Sequence, residues 1–407
     1  MAFNSSLSGM RAANADLNVT SHNIANVNTT GFKESRAEFA EVFSSTGYGL
    51  LRNGIGAGVR LTNVAQQFSQ GDINQTGRYL DMAVDKEGFF TVSNNGTNVY
   101  TRAGNFQRDP NGYVTTPEGY RLQVFPPRAD GIGFDTGNLT DLRLLTTDSP
   151  PSPTTRVELG VTLPGNAAQP TIAPFSPTDS ASYNETTSVT VYDSLGVAHQ
   201  QTVYYVKTPN PNEWQMHTYV DGTSMGAPTT VQFDNNGTLT APANGLVTLS
   251  PFTPSTGAGV LNMTLDISGT TQYGEQFAKR IQNQDGYATG KLNEFSVSET
   301  GVVYARYSNG EDQALGQVAL ANFSNPQGLV SQGNNTWTHS YASGEPRIGA
   351  PGTSDFGQVA SGALEASTVD LTEQLVNMIV AQRNFQANAK AIETDSAMTT
   401  AIINIRS

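Results

Sequence analysis

The last 45 residues of this 407-residue chain contain neither glycine nor proline, and no proline occurs before Pro110 or after Pro351. Nine of the 20 prolines fall between residues 126 and 177. Because glycine and proline interrupt helices, long helices can form most readily at the two ends of the chain. The distribution therefore predicts two terminal helices that flank a turn-rich, mainly β centre.

A heptad pattern runs through the C-terminal segment. Its positions alternate in steps of four and three: Leu371, Leu375, Met378, Gln382, Phe385, Ala389, Ile392, Ser396, Thr399 and Ile403. At ~1.5 Å per residue, a helix of about 40 residues would be ~60 Å long. We therefore predict a helical segment over residues 364–407.

The N-terminus repeats the pattern, and a turn-forming cluster at residues 26–31 ends it. This predicts a second helix over residues 1–26. The apolar members of both patterns are the predicted contact positions for assembly: Phe3, Leu7, Met10, Leu17, Ile24, Leu371, Leu375, Met378, Phe385, Ile392 and Ile403.

Two interpretations of these helices are open. They could be amphipathic helices that pack on a globular core. However, Asn14, Ser21 and Gln382 would weaken a lone two-helix seam, and Val376 and Ile379 widen the apolar surface beyond what one partner covers. Helices that bury each other poorly are marginal in isolation. We therefore favour a coiled-coil-like inner domain whose helices also contact other copies of the chain.

The middle of the chain is typical of antiparallel β-structure. Apolar alternation at residues 189–192 and 201–206 flanks a turn at 193–196, which predicts a hairpin. The proline-rich run from 126 to 177 indicates a crossing into an inserted domain. The predicted order is nested: helices at 1–26 and 364–407, a connecting region at 27–71 and 358–363, a discontinuous β domain at 72–146 and 285–357, and an inserted outer β domain at 147–284.

Glycines in the connecting region indicate a joint. Gly31 ends the first turn cluster, and Gly54, Gly56 and Gly58 follow within a glycine-rich stretch. Glycine gives the backbone freedom to rotate, so we predict that these positions form a hinge, with a passive linker as the alternative. The run lacks the spacing and the preceding strand of a dinucleotide-binding loop.

No set of residues points to catalysis or to a cofactor. Cysteine is absent, which excludes disulfides, thiolate zinc sites and cysteine nucleophiles. No histidine has a partner at metal-ligand spacing; the four are His22, His199, His217 and His339. Residues 109–112 favour a turn over a calcium loop, and Asp85 with Glu87 is more typical of a solvated face than of a glycosidase pair. We predict a protein that is not an enzyme and has no metal.

Charge and hydropathy limit the partners. The chain has 22 basic and 35 acidic residues, a net charge of −13, and is a poor match for phosphate backbones or anionic membranes. We therefore expect no nucleic-acid partner. Its apolar runs are too short to span a bilayer, so no direct membrane insertion is expected. The first residues lack the basic and apolar regions of a cleavable signal peptide.

Several segments carry specific motifs. They are SHNIANVNTTGFK at 21–33, QGDINQTGRYLDMAV at 70–84, YTRAGNF at 100–106, GALEASTVDL at 362–371 and AQRNFQAN at 381–388. These motifs resemble the signatures of the rod and hook proteins, a family of axial subunits of the bacterial flagellum. The length of the chain and the segment SVTVYDSLG at 188–196 resemble the hook proteins most closely.

The resemblance implies a structural subunit that self-assembles into a hollow, flexible helical tube between motor and filament. It implies an extracellular position in the hook, attached to the basal body, after export through the flagellar type III apparatus without cleavage. The implied partners are other copies of the chain, the distal rod protein, the hook cap protein and the hook-filament junction proteins.

Two alternatives remain at this point. One is a distal rod protein of the same family, against which the inserted domain argues. The other is a surface adhesin or carbohydrate-acting β protein. That alternative requires an aromatic-lined cleft with convergent carboxylates, and it leaves both terminal heptad patterns unexplained.

Overall fold

A computed structural model describes residues 2–42, 56–129 and 131–405, with side chains from residue 3 to residue 401 within those ranges. The fold is mainly β with one long helix at each end of the chain, as predicted. The chain divides into two compact units. Unit 1 comprises Met1–Thr146, Glu294–Ala305 and Asp312–Ser407, and unit 2 comprises Thr147–Asn293 and Arg306–Glu311.

The first part of unit 1 is a helix followed by short strands. In chain order they are α1 (Ala2–Ala25), β1 (Ser35–Glu41), β2 (Val59–Gln66), β3 (Ile73–Gln75), β4 (Met82–Asp85), β5 (Phe89–Asn94), β6 (Thr97–Thr101), β7 (Gln107–Arg108), β8 (Val114–Thr115), β9 (Arg121–Phe125) and β10 (Thr140–Asp141).

Unit 2 follows and has longer strands. They are β11 (Arg156–Pro164), β12 (Glu185–Tyr192), β13 (Ala198–Lys207), β14 (Glu213–Val220), β15 (Thr223–Ser224), β16 (Thr229–Phe233), β17 (Leu239–Ala241), β18 (Leu246–Thr248), β19 (Thr264–Asp266), β20 (Thr271–Tyr273) and β21 (Ala278–Gln284), with a 3-10 turn at Ser180–Ser182.

The last part of the chain ends in the second long helix. Its elements are β22 (Leu292–Val297), β23 (Val302–Tyr307), β24 (Asp312–Val318), β25 (Leu320–Asn322), a 3-10 turn at Pro326–Gly328, β26 (Val330–Gly333), β27 (Thr336–Thr338), β28 (Arg347–Gly349), β29 (Gln358–Ser361), β30 (Ala363–Glu365) and α2 (Leu371–Ile405).

The main sheet of unit 1 runs in the order β22-β23-β24-β9-β5-β6-β27-β26. The early strands β9, β5 and β6 lie between late strands on both sides, so this β domain is discontinuous in sequence. Aromatic side chains pack under the sheet. The Phe89 ring lies 5.8 Å from both Phe323 and Trp337, in edge-to-face geometry, and Tyr100 lies 4.8 Å from Phe323.

Unit 2 is a β-sandwich. One sheet runs β18-β19-β11-β20, with β21 also on β11, and the other runs β12-β13-β14-β16-β17. The buried residues of β13 and β14 alternate along each strand, which directs one face of their sheet to the core. Trp214 and Tyr205 from that sheet pack in one cluster with Leu159 and Val161 of β11.

The pairing of β11 differs from the predicted antiparallel arrangement. It is parallel to β19 and β20 and antiparallel to β21. Residues from Leu159 to Leu163 are buried without alternation, which is typical of a strand covered on both faces. The predicted hairpin is confirmed, because β12 pairs with β13 around the turn at Asp193, where Gly196 adopts a φ of +80°.

The C-terminal helix begins later than predicted. Residues 364–370 were included in the predicted helix, but Ala363–Glu365 forms β30 and pairs with β3. The helix begins at Leu371 because Asp370 caps it. The Asp370 carboxylate accepts hydrogen bonds from the backbone N–H groups of Thr372 at 2.7 Å and Glu373 at 3.1 Å.

The predicted connecting region also contains regular structure. Strands β1 and β2 form an antiparallel hairpin from the Ser35–Gln66 pair to the Glu41–Val59 pair, and β29 pairs with β4. The burial along β2 is not alternating, so its sequence carries little of the two-residue period that identifies a strand.

Candidate assembly surface and terminal junction

Helices α1 and α2 pack against each other through small and polar residues. Ala13, Thr20 and Asn23 are buried on α1, and Gln374 and Ala381 are buried on α2. Gln374, Ala381 and Asn388 are seven residues apart, and a Cβ on Gly9 of α1 would lie 2.6 Å from the Asn388 side chain. This heptad row, the seam, therefore allows a close approach of the two helices.

The seam differs from the predicted heptad. Met378, Phe385 and Ile392 are partly buried and lie four residues after the seam positions, so they flank the seam. Leu371 and Leu375, which began the predicted row, are instead 44% and 46% exposed. The row that faces α1 carries two polar side chains and one alanine, so apolar character alone does not identify it.

The predicted positions on α1 differ in their exposure. Leu7, Met10, Leu17 and Ile24 are partly buried, and Phe3 is 46% exposed. The Ile403 side chain lies outside the described residues.

The exposed apolar residues of α2 lie on adjacent turns. Leu371, Leu375, Val376, Ile379 and Val380 are between 44% and 55% exposed. We call these five residues the outer stripe. Residues three and four apart are neighbours on a helix, so the row of Leu371, Leu375 and Ile379 adjoins the row of Val376 and Val380 over the first three turns.

A buried ion triad joins the two ends of the chain to the β domain. Lys33 Nζ lies 2.6 Å from Glu365 Oε1, and an Arg102 guanidinium nitrogen lies 3.3 Å from Glu365 Oε2. The side chains of Lys33 and Glu365 have no exposed surface. Each residue belongs to a different signature motif, so the motifs converge on one junction.

Backbone groups supply further hydrogen bonds to the triad, although Arg102 Nε is buried without a partner. Lys33 also donates to the Ser69 carbonyl, and Arg102 donates to the Lys86 carbonyl at 2.7 Å. The Gly71 N–H donates to Glu365 Oε1 at 2.9 Å. Burial lowers the pKa of Lys33 and of Arg102, and the Glu365 carboxylate opposes this effect in both. The carboxylate therefore favours the charged form of both cations, against the effect of burial.

A second network connects α1, β1 and α2. The Asn23 side chain donates to the Ser35 carbonyl at 2.7 Å and accepts from the Ser35 N–H at 3.0 Å. The same amide donates to Gln374 Oε1 at 3.1 Å, and Gln374 donates to Glu34 at 2.8 Å. Burial raises the pKa of Glu34, while the Gln374 hydrogen bond lowers it. Asn23 thereby fixes the chain at the start of β1 to the helix pair.

The predicted hinge glycines lie close to neighbouring atoms where the structure describes them, and the hinge itself stays a prediction. Gly31 is buried at a φ of +66°, and a Cβ there would lie 2.6 Å from the Ala103 nitrogen. Gly58 has a φ of +116°, and its carbonyl accepts from the Val42 N–H at 2.8 Å. Gly56 approaches the Glu41 side chain, and Gly54 lies outside the described residues. Packing of this kind at Gly31 does not support rotation there.

Sequence reasoning missed the triad, although all three residues lie in the quoted motifs. Their charge was the available signal. Only 14% of the chain is charged, and Arg102 and Glu365 are each flanked by uncharged residues, whereas Lys33 follows Gly-Phe and precedes Glu34. A charge in such a segment is typical of a buried, paired group.

The described residues contain no group of three or more histidine, aspartate or glutamate side chains that could hold a metal ion. Within that part of the chain, no helix is both long enough and apolar enough to cross a membrane.

Four protein families match successive parts of the chain. They are Flagella basal body rod protein at residues 3–33, Flagellar hook protein FlgE/F/G D1 domain at 83–174, Flagellar basal body protein FlaE D2 domain at 162–287, and Flagellar basal body rod FlgEFG protein C-terminal at 360–405.

Curated relatives match over the full length. The flagellar hook proteins FlgE of Escherichia coli K12 and Salmonella typhimurium LT2 are 38% and 37% identical, and each alignment covers 100% of both chains. FlgE of Rhizobium meliloti is 34% identical over 98% of this chain and 97% of its own.

A solved structure has the same fold. The crystal structure of Helicobacter pylori flagellar hook protein FlgE2 aligns with a TM-score of 0.54 at 18% identity, over 72% of this chain and 100% of that chain. The full-length relatives are hook proteins, which disfavours the rod and adhesin alternatives. The chain belongs to the flagellar hook protein family.

Proposed function

We propose that this chain is a structural subunit of the bacterial flagellar hook, which self-assembles into a hollow, flexible helical tube that couples motor rotation to the filament. The observation that supports this proposal is the outer stripe of α2. Five large aliphatic side chains stay about half exposed after α2 has packed on α1. Contiguous exposed apolar surface of this kind marks a protein interaction site.

The stripe is available for a second copy because the seam uses other residues. Gln374 and Ala381 face α1, whereas Leu375 and Ile379 stay exposed. Burial of a large aliphatic side chain contributes about 1.5–3 kcal/mol. Covering five half-exposed side chains therefore contributes on the order of 5 kcal/mol per subunit, before the cost of ordering the partners.

The domain assignment forms part of the proposal. The terminal segments 1–26 and 364–407, which contain α1 and α2, would form the inner wall of the tube, and residues 27–71 and 358–363 would connect them to the β domain at 72–146 and 285–357. The inserted domain at 147–284 would supply outer contacts. Its ten acidic and four basic residues among 138 favour weak contacts that exchange as the tube bends.

The remaining partners and the location follow from the family. We propose a position outside the cell, attached to the basal body, after export through the flagellar type III apparatus without a cleaved signal peptide. The chain would meet the distal rod protein at one end of the hook, the hook-filament junction proteins at the other, and the hook cap protein during growth. We also propose that the chain has no enzymatic activity.

Leu375→Asp in the full chain tests the stripe. A charge on the outer stripe should block polymerisation, because burial of an unpaired carboxylate against apolar side chains costs several kcal/mol. Its helical circular dichroism and thermal unfolding should match those of the unmodified chain, since Leu375 is not part of the seam. Sedimentation and negative-stain imaging at rising protein and salt concentration measure assembly.

Asn377→Asp is the matched control, because Asn377 is exposed on the same helix and, two residues after Leu375, lies on the side opposite to it. This variant should polymerise. Normal tubes from Leu375→Asp would contradict the assigned surface, and unfolding of the Leu375→Asp monomer would mean that the residue belongs to a packed core.

A further inference from the structure

A histidine between two carboxylates lies at one end of the unit 2 sandwich. His199 is on β13, and only 5% of its side chain is exposed. Its Nδ1 lies 2.6 Å from Asp221 Oδ2, and its Nε2 lies 3.2 Å from Asp193 Oδ2. Both ring nitrogens therefore face a carboxylate oxygen.

Both carboxylates act as acceptors toward other donors as well. Asp193 Oδ1 accepts from the N–H groups of Leu195 and Val197, each at 2.9 Å, and Asp193 Oδ2 accepts from the Thr256 hydroxyl at 2.7 Å. Asp221 Oδ1 accepts from the Gln200 N–H at 2.9 Å. Ionised carboxylates fit these bonds, because they are acceptors only.

The protonation state of His199 follows from its neighbours. A neutral imidazole has one donor and one acceptor nitrogen, and the acceptor would place its lone pair against a carboxylate oxygen. The doubly protonated imidazolium donates to both carboxylates. Asp193 and Asp221 are the charged groups that face the ring, since residues 252–261, which include Phe252 against the ring and Thr256 on Asp193, contain no titratable side chain.

The cluster connects three separate turns of unit 2. Asp193 begins the turn between β12 and β13, and Asp221 follows β14 at a φ of +46°. The third is the loop that carries Thr256. Ser194 of the first turn also accepts from the Gly259 N–H of that loop at 2.9 Å.

We propose that His199 is a charged clamp that holds these three turns together, and that its deprotonation at alkaline pH releases them. The clamp is a conformational device of unit 2, independent of the outer stripe and of the proposed assembly role. His199 and both carboxylates that pair with it belong to unit 2.

The direction of the pKa shifts agrees with this geometry. Burial lowers the pKa of His199, but the hydrogen bonds and charges of Asp221 and Asp193 outweigh it, so the pKa is raised. Burial raises the pKa of Asp193, and the hydrogen bonds of Thr256, Val197 and His199 bring it down to about 2. The stabilisation from His199 is fully present below the unfolded pKa of ~6.5 and is lost as pH rises through the higher folded value.

The direct test is the titration of the imidazole rings in the full, unpolymerised chain. With ¹⁵N-labelled histidine, long-range ¹H–¹⁵N correlation distinguishes the protonated ring from the neutral tautomers. His22→Gln, His217→Gln and His339→Gln assign the other signals, so His199 is identified by elimination without being changed. At a pH where free histidine is neutral, His199 should still show two protonated nitrogens, whereas His217, whose pKa is lowered by burial, should show one.

Removal of one carboxylate tests the clamp itself. Asp221→Asn should move the His199 titration to lower pH. Asp234→Asn is the matched control, because Asp234 Oδ1 accepts from the Asn236 and Thr238 N–H groups in the same way as Asp193 does in its own turn, and it should leave the titration unchanged.

Release of the turns is measured by hydrogen exchange. The protection factors of the Leu195 and Gly259 amides should fall through the His199 titration, while those of Asn236 and Thr238 should not. A neutral His199 ring at the pH of neutral free histidine, an unchanged titration in Asp221→Asn, or constant protection at Gly259 would each overturn the proposal.

Discussion

Lys33 Nζ lies 2.6 Å from Glu365 Oε1 across 332 residues of sequence, and neither side chain reaches solvent. Together with Arg102, this pair fixes both ends of the chain to the β domain. Because the charges are buried, their contribution to the stability of the fold depends on all three being present.

Glu365→Gln should destabilise unit 1 by roughly 3–5 kcal/mol, because it leaves Lys33 and Arg102 buried without a counter-charge. The two tryptophans allow a measurement in each unit, since Trp337 lies in unit 1 and Trp214 in unit 2. In a Trp214→Phe background, urea unfolding followed by Trp337 fluorescence reports unit 1 alone. Trp337→Phe reports unit 2, which should not change.

Glu118→Gln is the control for this change, because Glu118 is exposed in the same unit. Surface substitutions typically change stability by about 0.5 kcal/mol or less. If Glu365→Gln lowers the stability of unit 1 no more than the control does, the triad does not hold the junction.

Gly31→Ala should destabilise unit 1 more than Gly77→Ala does. Both glycines have similar positive φ angles, +66° and +73°, so an alanine costs on the order of 1–2 kcal/mol of backbone strain at either position. Gly77 has no atom within 4 Å of a new Cβ, whereas Gly31 would meet the Ala103 nitrogen at 2.6 Å. Overpacking adds about 1–3 kcal/mol at Gly31.

The same Trp337 urea transition measures this difference. It also decides between a fixed turn and a hinge. Equal losses at Gly31 and Gly77 would mean that the contact with Ala103 yields easily, as the hinge hypothesis for Gly31 requires.

Ala381→Asp should separate the two helices. Ala381 has no exposed surface in the seam, so a carboxylate there costs several kcal/mol. Helical circular dichroism should fall in the monomer, and assembly should fail. Ala387→Asp on the exposed side of the same helix should retain both. Retained helicity in Ala381→Asp would contradict the seam assigned here and leave the predicted Leu371 row as the contact.

The sequence indicated the architecture because its strongest signals are local. The absence of proline from both ends, and of glycine from the last 45 residues, indicates where the terminal helices lie, and the alternation in β12 and β13 identifies their hairpin. The seam could not be assigned in the same way. Leu371 and Gln374 begin equally regular heptad rows. Only the packing against Gly9 and Ala13 of α1 favours the row that begins at Gln374.

The junction depends on long-range contacts that no local pattern carries. Lys33, Arg102 and Glu365 become one site only when β30 pairs with β3 and Gly31 packs on Ala103. The charge of each residue did not indicate which other residue it pairs with. The motifs themselves could be recognised, but the triad that three of them form appears only in the folded chain.

Trypsin should cleave the free subunit in an order set by this junction. Arg383 and Lys390 are exposed on α2, and Arg11 is exposed on α1. Their helices meet through a narrow seam, and weakly packed helices fray, so these sites should be cut first in dilute monomer. Lys33 and Arg102 are buried in the triad, so cleavage after them should require unfolding of unit 1.

Mass spectrometry of a digestion time course gives the order directly. In assembled tubes Arg383 and Lys390 should become protected, because neighbouring copies cover the helices. In Glu365→Gln the site after Lys33 should open early, while the sites on α2 keep their rates. Cleavage after Lys33 as fast as after Arg383 in the unmodified monomer would mean that the buried pair does not hold the end of the chain, and protection of Arg383 in dilute monomer would mean that α2 is stable without a neighbour.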